Sequence, residues 1–485
     1  MIKQSRRWTR RGVLVRSGVG VLGTLLLAAC AAPAAPTPTT APAKPAEPTK
    51  PAAAAPTEAP KAAAPAQTKA PTPIRFSHWI PNLITKTMPI LEQKHNVKIT
   101  EESAPFGEYF DKLLTQFTGG VAPDLIYMSI IKAGPFYTAD LLKPLDKALA
   151  DRGLDNSKWG MDVNAVKYKG KLLGLPAFLF FPLGWAINTD LIEKEGMKPP
   201  HPWPFFGTPE FDNFSWDKLV ENFLAVTKRS GDQVDIYADG SNWATFSVQH
   251  QLGIFENGGE LFDSYDFDEK KVFVNSPESV AVVQRYVDLI VKHKVAAPPG
   301  AASAFKEGLW RAQKAVAQSS WFSYNIFGKP EDRGFQWRWI FLPHFGKGRR
   351  ILQAGDIISA NPKSPASDLA AEMAVTFSTD SEYTGPLYDA WQNLPAYDST
   401  AILQRVTHPH IKAETKTYLA RYAAYSECKP CTENVKLVPG HQGRAAGFFS
   451  NTLRTQVEAV VQGQTTVQQA MDEARKQIEA ELAKT

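Results

Sequence analysis

The chain is poor in cysteine: Cys30, Cys428 and Cys431 are the only three in 485 residues. They offer no second pair for a four-ligand zinc site. Neither a Gly-x-Ser-x-Gly elbow nor a phosphate-cradling glycine loop occurs. His408-Pro409-His410 brings two metal-type ligands, with no third nearby in sequence. Carboxylates are as plentiful as in any chain of this size, but no spacing singles out a catalytic pair, so no catalytic residue, metal or cofactor is expected. The uncharged run from Ser17 to Ala29 is far shorter than the ~20 residues of a spanning helix. Residues 31 to 73 contain no aromatic side chain.

What the N-terminus does have is six basic residues before Cys30 (Lys3, Arg6, Arg7, Arg10, Arg11, Arg16) and no acidic one. A charged start, a short apolar stretch and small residues before a cysteine resemble a bacterial lipoprotein signal. On that reading residues 1–29 are removed, Cys30 is lipidated, and the mature chain sits on the outer face of the cytoplasmic membrane. Thr9-Arg10-Arg11-Gly12-Val13-Leu14 resembles a twin-arginine export signal; the same arginines serve equally as ordinary positive charges of a signal. Cleavage changes the electrostatics. The formal charge of +5 belongs to the precursor, and loss of the six basic residues leaves 48 basic against 49 acidic. Nothing then argues for nucleic acid.

Residues 30–73 read as a tether. Positions 31 to 73 hold 12 prolines and 17 alanines, with too little apolar surface to bury, so extended disorder is expected. The remaining residues, 74–485, have ordinary globular composition and are too many for one core, which implies two domains. Cys428-Lys429-Pro430-Cys431 lies outside the reducing cytosol on this reading. A small structural disulfide, free thiols and a redox or metal role all stand as readings, the disulfide foremost.

Strand and helix patterns alternate. Ile74–Trp79 and Asp124–Met128 read as strands, as does Trp185–Asn188. Tyr109–Phe117 carries a helical stripe ended by Gly119-Gly120, and Trp216–Lys228 and Pro277–Lys292 read as amphipathic helices. The C-terminal helix has Thr466 as N-cap with Gln469 three residues on, and a stripe of Val467, Met471, Ala474, Ile478 and Leu482. This βα alternation predicts an α/β fold with a largely parallel sheet.

Several segments together resemble the sugar-type solute-binding proteins of ABC importers. They are Gly119-Gly120-Val121-Ala122-Pro123-Asp124-Leu125, Leu141–Asp146, Tyr168–Pro176 followed by Trp185-Ala186-Ile187-Asn188, Phe305–Gly308 with Ser319-Ser320-Trp321, Asn393-Leu394-Pro395-Ala396, and the closing helices from Ala446. The order and spacing of these segments carry the resemblance. It implies a two-lobed periplasmic-binding-protein type II fold with discontinuous lobes: residues 74–182 plus 343–394 in the first, 183–342 plus 395–485 in the second. Chain crossings are expected near Phe180–Pro182, Leu342–His344 and Leu394. Three features depart from the family pattern: Ile187 where a tyrosine often precedes the crossing asparagine, the apolar Phe178-Leu179-Phe180-Phe181-Pro182 where sugar binders often place a carboxylate, and an insert around Pro199 to Phe214.

A sugar offers apolar C–H faces and a rim of hydroxyls, so its site wants aromatic plates beside Asp, Asn or Ser side chains. Trp321 matches the family's binding-site tryptophan. Trp79 and Asn82 follow the first strand. Ser129 stands at the carboxyl end of the Asp124 strand, where open α/β sheets bind ligands; Asp124 itself reads as a structural cap. Trp243 lies in a polar–aromatic loop. Asp356 is a carboxylate in an apolar strand, which demands a partner. Trp391 precedes the Leu394 crossing, and Phe448 or Phe449 leads the C-terminal helices. The implied function is capture of a carbohydrate, an oligosaccharide, and its delivery to ABC permease subunits by a monomer that performs no chemistry and carries no cofactor. The competitors are the same role for a polyamine, polyol phosphate or peptide, and an extracytoplasmic carbohydrate-active enzyme.

Overall fold

The computed structural model describes residues 70–155, 158–159, 163–179, 183–205, 214–241, 248–321, 333–346, 349–353, 355–391, 394–397, 435–439 and 443–484. Cys30, Cys428, Cys431 and Trp243 lie outside them. None of the described helices is long and apolar enough to cross a membrane.

The first strand, β1 (Thr72–His78), starts two residues inside the expected tether. Its whole length pairs in parallel with β2 (Val97–Ser103), from Thr72 opposite Val97 to His78 opposite Ser103. Between them runs α1 (Pro81–His95), and after β2 comes α2 (Phe106–Thr118), which buries Tyr109, Phe110, Leu113 and Phe117. The helical stripe was legible in the sequence, but its first turn, after Pro105, was not. Next come β3 (Leu125–Ser129), the short α3 (Gly134–Thr138) and α4 (Asp146–Asp151), the paired short strands β4 (Lys167–Tyr168) and β5 (Lys171–Leu172) and, further on, α5 (Thr189–Lys194).

A six-stranded sheet forms the first lobe, in the order β14-β6-β13-β3-β1-β2. Here β6 is Leu175–Leu179, β13 is Gly355–Ala360 and β14 is Leu394–Pro395. The second lobe is built on a five-stranded sheet ordered β11-β7-β10-β9-β8. Its strands are β7 (Leu183–Asn188), β8 (Lys228–Ser230), β9 (Gln233–Asp239), β10 (Ala315–Trp321) and β11 (Trp337–Phe341). Both sheets are mixed rather than largely parallel, because a strand entered from the other lobe starts at the facing edge. Thus β13 runs antiparallel to β3 and β6, and β7 antiparallel to β10.

The chain leaves the first sheet at Leu179 and enters the second at Leu183. The other two crossings differ from expectation. Residues 342–344 stay in the second lobe: the His344 amide donates to the Phe214 carbonyl at 3.1 Å, and Phe345 stacks at 4.9 Å on Trp216. The return to the first sheet falls between β12 (Arg349–Gln353) and β13. Likewise Leu394-Pro395 is an edge strand of the first sheet, and Tyr397 still packs on Trp159 at 4.9 Å. The third crossing therefore lies beyond Tyr397, not at Leu394. A hydrophobic pattern marks a strand but not the sheet it joins.

The helix expected to reach Lys228 is α6 (Trp216–Ala225); Lys228 instead opens β8, which pairs with β9 across a turn at Gly231 (φ 63°). On the second lobe α7 (Val248–Glu256) packs on α8 (Pro277–Val291), and α8 supports the C-terminal pair α11 (Phe449–Val461) and α12 (Val467–Leu482). The first lobe is covered by α9 (Ser367–Thr379) and α10 (Ser381–Trp391). The capping box at Thr466 forms: its Oγ1 accepts from the Gln469 amide at 3.3 Å, and Gln469 Oε1 accepts from the Thr466 amide at 3.2 Å. All five expected stripe residues of α12 are buried.

Candidate cleft between the lobes

Strand direction decides which edge of each sheet faces the other. In the first lobe the carboxyl ends of β1, β2, β3 and β6 share one edge, and β13 begins there, with Gly355 opposite Leu179 and Asp356 opposite Ser129. Since β6 ends at this edge and the chain crosses from it, this edge faces the second lobe. The matching edge of the second sheet holds the start of β7 and the carboxyl ends of β9 and β10, with Leu183 opposite Trp321.

Three sequence candidates meet on the first edge: Trp79, Ser129 and Asp356. Trp79 is half-buried in an aromatic cage, 4.7 Å from Tyr127, 5.2 Å from Tyr109, 5.4 Å from Phe110 and 5.3 Å from Phe106. The Tyr127 hydroxyl donates to Asp356 Oδ2 at 2.5 Å. Asp356 is 1% exposed, and among the described residues its Oδ1 has no hydrogen-bond partner. Burial pushes its pKa well above the usual carboxylate range, against the opposing pull of Tyr127 and Ser129. Ser129 lies directly across the strand, close enough to favour the charged form without an aligned bond to Oδ1. The tyrosine cage is fixed by Tyr109, whose hydroxyl sits 3.0 Å from the Ser77 carbonyl and 2.9 Å from that of Tyr127. As expected, Asp124 is structural: its carboxylate accepts from the Arg75 amide at 2.7 Å and the Ser364 hydroxyl at 2.5 Å.

The second edge carries a network that the sequence did not reveal. Asp239 ends β9 and is fully buried. It accepts from Trp185 Nε1 at 3.0 Å, from the Ser241 amide at 2.9 Å and from the Ser241 hydroxyl at 2.5 Å. Ser241 Oγ in turn accepts from the Ser319 amide at 2.6 Å, and Ser319 Oγ accepts from Gln249 Nε2 at 2.7 Å. The network ties β7, β9, β10 and α7 together below the cleft edge. One sequence signal was available: Asp239-Gly240-Ser241 places a carboxylate at a strand end before a small polar loop.

The other candidates separate. Trp321 closes β10 beside the first crossing. Asn82 falls in the first turn of α1 and Trp391 ends α10 on the first lobe. Phe449 is a correction. It is fully buried, 5.2 Å from Phe262, and belongs to the core beneath α11, so it presents no ring to a ligand; Phe448 before it is half-buried. The lobes also touch directly. Lys132 Nζ donates to the Ala446 carbonyl at 2.9 Å, and Phe267 packs on Tyr137 and Tyr168 at 5.2 and 5.6 Å. Gly134 lies so near Gly443 that a Cβ on it would stand 1.9 Å from the Gly443 oxygen. Among the described residues no group of three or more His, Cys, Asp or Glu side chains is arranged to hold a metal.

This architecture has solved relatives. An ABC substrate-binding protein from Listeria monocytogenes, Lmo0181, in complex with cycloalternan, superposes with a TM-score of 0.71 at 19% identity, covering 85% of this chain and 99% of its own. The GacH receptor of Streptomyces glaucescens, solved unliganded and with acarbose, gives 0.64 at 18% identity over 86% and 99%. The maltose-bound MalE3 of T. maritima gives 0.63 at 20% identity over 84% and 99%. At such identities the likeness shows the shared two-lobed α/β fold. The sequence match goes further, since residues 70–384 fit the family described as bacterial extracellular solute-binding protein. Two sheets joined by chain crossings agree with such a match, and the chain belongs to the bacterial extracellular solute-binding proteins.

Proposed function

We propose that this protein captures a carbohydrate, an oligosaccharide, in the cleft between its lobes and delivers it to ABC permease subunits. The observation that carries this reading is the edge where half-buried Trp79 lies against Tyr127, whose hydroxyl holds Asp356. It pairs an apolar plate with hydrogen-bonding groups, the combination a sugar ring needs. The named ligands of the solved relatives, cycloalternan, acarbose and maltose, point the same way. In this reading Trp79, Asn82, Ser129 and Asp356 act from the first lobe and Trp243 and Trp321 from the second, with Trp391 near the crossings. The first lobe comprises residues 72–179 and 355–397, and the second 183–353 and 443–484. Ligand shifts the lobes toward a closed form because only that form brings both edges into contact with it.

Family membership implies export, and we take the anchor to be acyl chains on Cys30 after loss of residues 1–29. The 30–71 segment is then the tether. It holds a monomer near its permease and raises its effective concentration there. Cys428 and Cys431 form a structural disulfide in this scheme. Binding and release involve no bond making or breaking. A thermal-shift screen tests the reading: one class of saccharide raises the melting temperature in proportion to occupancy, and Trp321→Ala abolishes that shift while leaving the apo melt nearly unchanged. A shift with spermidine and none with any saccharide overturns it, as does turnover of a glycan by the purified protein.

A further inference from the structure

Phe106 is the first residue of α2 and is 46% exposed. It meets Trp79 edge-on at 5.3 Å and Phe110 at 5.3 Å, so it continues the Trp79 cage out to solvent. Sheet order fixes where that ledge stands. The crossing at Leu179 leaves from β6, and β1 and β2 are the strands farthest from it on the other side of β13 and β3. Trp79 follows β1 and Phe106 follows β2, both at the carboxyl edge that faces the second lobe. The ledge therefore sits at the mouth of the cleft, away from the hinge. Beside it Gly107 leaves open space, since a Cβ there would meet nothing within 4 Å, and Glu108 presents an exposed carboxylate.

We infer that Phe106 and Trp79 form an outer subsite that stacks the terminal sugar ring of an extended oligosaccharide whose other rings fill the inner cleft. An exposed aromatic ring binds the C–H face of a pyranose, and a carboxylate in the same helical turn accepts hydroxyl protons. The open space at Gly107 admits the ring without displacing side chains. The ledge thus selects for ligand length, and the inference rests on the carbohydrate reading above.

Calorimetry with the mature protein and linear saccharides from maltose to maltoheptaose, together with cycloalternan, tests it. The wild type gains affinity as the ligand lengthens. Phe106→Ala weakens the longest bound ligand by about three- to tenfold, the worth of one aromatic stacking contact, and leaves the shortest bound ligand unchanged. Phe106→Trp restores the affinity. The exposed position keeps the apo melt of both variants close to wild type, which separates a subsite from a folding defect. Equal affinities of wild type and Phe106→Ala at every length overturn the subsite while the carbohydrate reading stands, and leave the ledge to a protein partner. Equal weakening at every length also overturns it. Binding of none of these saccharides by the wild type overturns the subsite, and the carbohydrate reading falls with it only if the thermal-shift screen also finds no saccharide that binds.

Discussion

Each lobe buries one aspartate at its cleft edge, and the two are treated differently. Asp239 in the second lobe receives three donors, from Trp185 and from the amide and hydroxyl of Ser241. Asp356 in the first lobe accepts a hydrogen bond from the Tyr127 hydroxyl, with Ser129 across the strand, and its Oδ1 has no partner among the described residues. Burying a carboxylate without compensation is costly. Asp239 meets that cost by hydrogen bonding; Asp356 meets it by favouring its protonated state. The same residue type, equally buried, locks one edge and leaves the other with unused hydrogen-bonding capacity. Burial alone does not separate the two carboxylates. The partner count does.

Substitutions can break this contrast. The largest effect is expected from Asp239→Ala, which strands the Trp185 and Ser241 donors in the interior. A loss of about 3 kcal/mol in unfolding free energy follows from leaving several buried groups unsatisfied, measurable by urea denaturation. A loss below about 1 kcal/mol would mean that the network is not what holds β7, β9 and β10 together. Ser241→Ala removes one donor to Asp239 and the acceptor of the Ser319 amide, and is expected to cost about 1–2 kcal/mol in the same assay.

Asp356→Asn sharpens the contrast through pH. Because the folded pKa of Asp356 is raised, the folded state binds more protons than the unfolded state above the unfolded value of about 3.9. Wild-type stability therefore carries a component that is fully present below that value and is lost as pH rises through the folded pKa. Asparagine cannot ionise, so the variant lacks this fall and melts higher than wild type on the alkaline side, by an increment that vanishes near pH 4. Parallel melting curves across pH for the two proteins would show that Asp356 is charged and compensated.

Much of the fold was legible because it rests on local pattern. The α12 stripe and its capping box are set by spacing along one helix, and the β3 and α2 patterns are equally local. Of the candidate site, the sequence marked residues that the fold brings to one sheet edge: Trp79 just after β1, Ser129 at the end of β3 and Asp356 at the start of β13. Phe449 failed because an aromatic at the head of a helix reads the same whether it faces a cleft or the Phe262 side of a core. Phe106 and Asp239 were missed for the complementary reason: each gains its meaning from neighbours distant in sequence, Trp79 for one and Trp185 for the other.

The sequence by itself determined most of the element types and the α/β class, since these follow from composition and short periods. Only the tertiary structure decided which strands share a sheet, where the chain crosses between lobes, and which of two buried aspartates is satisfied. Those properties depend on contacts between residues far apart in the chain, such as Asp356 with Tyr127 and Gly134 with Gly443. A pattern with a period of a few residues carries no record of them.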